Sequence, residues 1–106
     1  MTKKSRALFV SHGGGPMPLL GDPGHAEMVD CLLAIANQIE KPSAIVVISA
    51  HWEAPQATIT AGANPELIYD YHGFPSEAYQ LTYPAPGNPA LAARLQDALR
   101  RAKINT

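Results

Sequence analysis

The sequence predicts an α/β fold, a βαβ-based, mostly parallel sheet flanked by helices, with residues 1–106 forming one partial domain. Three observations lead there. Two short apolar runs, Ala7–Ser11 and Ala44–Ser49, do not alternate polar with apolar residues, as strands buried on both faces do not. Between them, Ala26–Ile39 carries an apolar stripe at helical spacing. A proline-rich stretch then leads into a second amphipathic segment that reaches almost to Thr106.

The first run, Ala7-Leu8-Phe9-Val10-Ser11, stops at the glycines that follow His12. In the helix after it, Met28, Leu32, Ile35, Ala36 and Ile39 recur three or four residues apart and mark the face to be buried. Lys41-Pro42-Ser43 ends that helix, because proline cannot continue it and disfavours helical geometry in the residue before it. The second run, Ala44-Ile45-Val46-Val47-Ile48-Ser49, is richer in β-branched residues. Strand, helix, strand at this spacing implies a right-handed crossover and parallel strands whose C-terminal ends share one edge.

Farther on, Ala57–Ala61 alternates and ends at Gly62, reading as a third, more exposed strand. Residues 64–88 are rich in proline and glycine and read as loop, with one short helix around Ser76–Gln80. Asn88-Pro89 has the form of an N-cap followed by proline at the first helical position. It opens a helix over Pro89–Ala102 that places Leu91, Leu95, Ala98 and Leu99 on one face. The next element expected in such a fold is another strand, so the chain reads as the N-terminal part of a larger α/β domain.

Composition narrows the function classes. Eight Lys and Arg stand against nine Asp and Glu, a net charge of −1 that provides no basic field for nucleic acid. The densest cations, Arg94, Arg100, Arg101 and Lys103, fall near the C-terminal end of the second helix, where they complement its dipole. No stretch approaches the roughly 20 apolar residues of a membrane span, and Ala7–Val10 is too short for a signal-peptide core. Cys31 is the one cysteine, which excludes an internal disulfide, suits a reducing cytoplasm and reads as a core residue of the first helix. The expected protein is cytoplasmic, binds neither nucleic acid nor membrane, and is open to homo-oligomer formation through sheet edges.

Two histidines follow the apolar runs directly: His12 in Ser11-His12-Gly13-Gly14 and His51 in Ser49-Ala50-His51-Trp52. Neighbouring parallel strands would bring both to one rim, where open α/β sheets hold their ligands. Neutral imidazole is the commonest protein ligand for iron, zinc and copper, so both are candidate metal ligands, although two are too few for a complete site. His-Gly-Gly-Gly also serves as an esterase oxyanion hole, but no Gly-x-Ser-x-Gly nucleophile accompanies it. A phosphate cradle is disfavoured by the absence of Gly-x-Gly-x-x-Gly and of a Gly-Lys-Ser/Thr ending.

Four motifs in order, Val10-Ser11-His12-Gly13-Gly14, Ile48-Ser49-Ala50-His51-Trp52, Tyr69–Pro75 and Leu81–Pro89, resemble the class III extradiol ring-cleaving dioxygenases of the DOPA 4,5-dioxygenase-like (LigB-type) branch. The resemblance runs over almost the whole chain and implies a non-haem iron(II) enzyme that opens a catechol-type aromatic ring with O2. It assigns His12 and His51 as metal ligands, for iron(II) in catalysis and in some isolated proteins zinc. The family's third ligand and its acid/base histidine have no counterpart here, so the resemblance places no catalytic residue in this chain. Trp52 is read either as a wall of the substrate site or as core, and His72 as a loop residue that could line the substrate entrance. His25 reads as a surface or loop histidine, and Tyr79 and Tyr83 as packing residues. Two rivals stay open: a tetrapyrrole metal chelatase, which also sets a His-Gly pair after its first strand, and a truncated, non-catalytic binding or assembly module.

Overall fold

The computed structural model describes residues 5–106. Two α-helices stand among them: α1, Ala26–Gln38, and α2, Pro89–Arg101. Short 3-10 turns cover Met17–Leu20, Pro23–His25 and Ser76–Tyr79, the last of them where a short helix is expected. Both helices lie within a residue of their predicted bounds, because their signals are local.

Along α1 and at Ile39 just beyond it, Met28, Leu32, Ile35 and Ile39 are half-buried while Ala36 is exposed, so the predicted stripe is the protected face in all but its smallest member. The helix gives way to extended backbone at Ile39, three residues ahead of Pro42. Cys31 is exposed, which corrects its reading as core. In α2, the Asn88 side-chain oxygen accepts the Leu91 N–H at 3.0 Å, closing one of the N–H groups that a helix start leaves open. Pro89 occupies the first turn, where its missing N–H is no loss. At the other end, Ile104 N–H donates to Leu99 O and Lys103 N–H to Arg100 O, with Lys103 at φ 64°. This is a Schellman cap in which lysine takes the left-handed position that glycine ordinarily fills.

The sheet is where expectation and structure part. No β-strand is present among the described residues, so the α/β class with its parallel sheet is overturned. Outside the helices, no backbone hydrogen bond among the described residues joins Ala7–Ser11 or Ala44–Ile48 to another segment. Phe9 and Ile48 are essentially fully exposed, at 105% and 95%. The physical reason lies in what a strand is: its hydrogen bonds belong to a neighbour, and an apolar run states a demand for burial without supplying that neighbour. Ala57–Ala61 likewise forms no strand.

The chain divides into two compact units. The first comprises the described residues up to Glu40 together with Tyr71–Gln80. Its interior is an aromatic clamp around Ala78, which is fully buried. Tyr71 meets Phe74 edge-on, with centroids 5.3 Å apart, and lies 5.4 Å from Tyr79, while its hydroxyl donates to Ala78 O. Tyr79 thus touches a neighbouring ring while remaining 38% exposed. Gly15, at φ 51°, faces the Phe74 ring so closely that a Cβ there would stand 2.6 Å from Cζ.

The second unit comprises Lys41–Asp70 and Leu81–Thr106 and contains α2, on which Ala92 is buried. Gly87 N–H donates to Ala63 O at 2.8 Å, and the approach is close enough that a Cβ on Gly87 would meet Gly62 O at 2.0 Å. Tyr69 fastens its hydroxyl to Leu81 O. Tyr83 is 71% exposed, against the expectation that it packs.

Candidate functional site

His12 belongs to the first unit and His51 to the second. With no strand among the described residues there is no shared strand edge, so the topological argument for their convergence no longer stands. Each is therefore built from its own surroundings.

His12 is exposed and opens the turn Gly13-Gly14-Gly15, in which Gly13 and Gly15 have positive φ of 73° and 51°. The chain must reverse immediately after the imidazole, and glycine permits this without the steric cost of a Cβ. The turn is braced by a residue that sequence reasoning left on the surface. His25 Nε2 accepts the Gly14 N–H at 3.1 Å, and its Nδ1 lies 2.6 Å from Asp22 Oδ2. A backbone N–H donates only to a nitrogen with a free lone pair, so the ring proton sits on Nδ1 and is donated to the carboxylate. The ring lies directly over Gly13, where a Cβ would come within 2.5 Å of His25 Cδ2. Because the Gly14 N–H is occupied by His25, it is not open to an oxyanion or a phosphate, which weakens both of those readings.

His51 sits on a tight turn made by its own motif. Trp52 N–H donates to Ser49 O at 3.2 Å and His51 N–H to Ser49 Oγ at 3.1 Å, so the serine hydroxyl and the backbone together fix the turn. Trp52 Nε1 donates to Thr58 O at 2.8 Å and closes the following loop. At 47% exposed, Trp52 is no core residue. The His51 ring places Nδ1 3.0 Å from Asp70 Oδ2, both side chains being about half exposed. His72, exposed beside Gly73 at φ 78°, is carried by the first unit.

The donor chemistry at His51 suits a metal: in the neutral ring, Nδ1 donating to the carboxylate leaves Nε2 with the lone pair, the form in which ligating imidazoles are held. Among the described residues, no group of three or more His, Cys, Asp or Glu is gathered to hold a metal ion. No helix among them is long and apolar enough to cross a membrane. Asp22, His25 and Asp70 are the residues sequence reasoning missed. Asp70 stands inside the Tyr69–Pro75 motif, whose glycine and proline mark a loop but not a partner for His51; Asp22 and His25 are three apart, a spacing that suits an ion pair without announcing one.

The family described as the catalytic LigB subunit of aromatic ring-opening dioxygenase matches residues 6–106. A protein named dioxygenase tasH from Hapsidospora irregularis is 49% identical over 100 residues, covering 88% of this chain and 31% of that protein. Two proteins named 4,5-DOPA dioxygenase extradiol, from Beta vulgaris and Escherichia coli K12, are each 43% identical, over 87% and 88% of this chain and 34% and 33% of their own lengths. The chain thus spans about a third of the length of the curated relatives it matches. No solved structure matches it. The match over nearly all of the described residues, with relatives this similar, places the chain among ring-opening dioxygenases rather than tetrapyrrole chelatases: it belongs to the LigB family of aromatic ring-opening dioxygenases.

Proposed function

We propose that the chain is part of a non-haem iron(II) dioxygenase that opens a catechol-type ring with O2, and that His12 and His51 each give an imidazole to the metal. The observation that carries this reading is the His51–Asp70 contact of 3.0 Å, which prepares Nε2 as a donor within a chain matched to the family over residues 6–106. When bound, the metal would supply the Lewis-acid and redox chemistry for joining O2 to the ring. What the chain's own residues contribute is positioning. The Ser49 turn holds the His51 backbone, the Asp22–His25 brace holds the glycine turn next to His12, and Trp52 and His72 are proposed to face the aromatic substrate. No acid/base residue for the catechol proton is assigned to this chain. A lone cysteine, which leaves no internal disulfide to form, fits a reducing cytoplasm.

The test is an anaerobic iron(II) titration of the 106-residue chain beside His12→Ala and His51→Ala. Binding weakened by both substitutions is expected, with zinc competing for the same site. Absence of binding, or binding indifferent to either substitution, would overturn the assignment. Binding should also release protons and weaken on acidification, since a ligating imidazole must be unprotonated.

A further inference from the structure

We propose that Asp70 is the positioning residue for His51, selecting the tautomer and the ring orientation in which Nε2 faces a metal; this rests on the assignment of His51 as a ligand. The contact is direct, Nδ1 to Oδ2 at 3.0 Å, and lies within one compact unit. Which imidazole nitrogen carries the proton is set by the hydrogen bonds the ring makes, and a carboxylate can only accept. In the neutral ring Nδ1 therefore holds the proton and Nε2 the lone pair.

The surroundings show that Asp70 is placed rather than incidental. Tyr69 on one side anchors its hydroxyl to Leu81 O, and Tyr71 on the other anchors its hydroxyl to Ala78 O. Within the second unit the Tyr69 bond thereby tethers the chain next to Asp70, while the Ser49 turn tethers the backbone of His51. Asp70 acts on the imidazole torsions. Because both side chains are about half exposed, the pair adds little to folding, and its effect falls on the ring.

The experiment has two readouts on the same full chain. Long-range 15N NMR of the metal-free protein, with the His51 signals assigned by their loss in His51→Ala, reports the tautomer. The wild type is expected to be protonated on Nδ1, and Asp70→Ala to move the population toward protonation on Nε2. Anaerobic iron(II) titration should then show affinity reduced 10–100-fold in Asp70→Ala, the range for loss of such a partner. Asp70→Asn adds an NH2 donor that Nδ1 can accept from, so it should also move the population toward protonation on Nε2 and weaken iron(II) binding, and it serves if the alanine variant misfolds. An unchanged tautomer in Asp70→Ala, or a tautomer change with unchanged iron affinity, overturns the proposal. A wild-type chain that binds no iron(II) overturns the ligand assignment instead, and the tautomer comparison still decides whether Asp70 governs the His51 ring.

Discussion

Replacing Gly13 with alanine tests the brace beside His12 most directly. Gly13 has φ 73°, and a Cβ there would stand 2.5 Å from His25 Cδ2 and 2.7 Å from Nε2. Left-handed backbone costs a residue with a Cβ about 1–2 kcal/mol. The ring must also move, and it is held by Asp22 on one side and the Gly14 N–H on the other. Breaking the Gly14 hydrogen bond adds about 0.5–1.5 kcal/mol, so the whole effect is about 1.5–3.5 kcal/mol. In a His25→Ala background the ring is gone, and the same substitution should cost only the backbone share, about 1–2 kcal/mol. Urea unfolding of the four chains forms a double-mutant cycle, and hydrogen exchange at the Gly14 amide reports the bond itself. Equal costs in both backgrounds, or a Gly14 amide equally protected without His25, would refute the reasoning.

Other outcomes follow from the helix ends, the close backbone approach and the exposed apolar runs. Asn88→Ala should destabilise α2 by about 1 kcal/mol, measured by thermal unfolding, because it removes the acceptor for Leu91 N–H. Lys103→Gly should stabilise the chain by up to about 1 kcal/mol, the relief of left-handed strain less glycine's added chain entropy; a fall in melting temperature would contradict the assigned cap. Gly87→Ala should cost about 1–3 kcal/mol, since the obstructing atom is a backbone oxygen that cannot rotate away. The isolated chain, exposing Phe9 and Ile48, should self-associate in light scattering, with Phe9→Lys plus Ile48→Lys restoring monomer; a compact wild-type monomer would refute this.

The sequence by itself determined whatever depends on residues close along the chain. Helix α1 follows from Met28, Leu32, Ile35 and Ile39, and α2 from Asn88-Pro89 and its leucines, because helical hydrogen bonds close within four residues. The candidate ligands His12 and His51 were legible in their motifs, and so was the family. Tertiary structure decided what depends on distant partners. Ala7–Ser11 and Ala44–Ser49 have the residues of buried strands but no neighbour to pair with, so the expected sheet is absent among the described residues. His25 moved from the surface to the brace of the glycine turn because it meets Gly14, eleven residues away. Asp70 gained its part through His51, nineteen residues earlier. Side-chain hydrogen bonds of this reach are set by how loops pass one another in space, and neither apolar periodicity nor motif spacing encodes that.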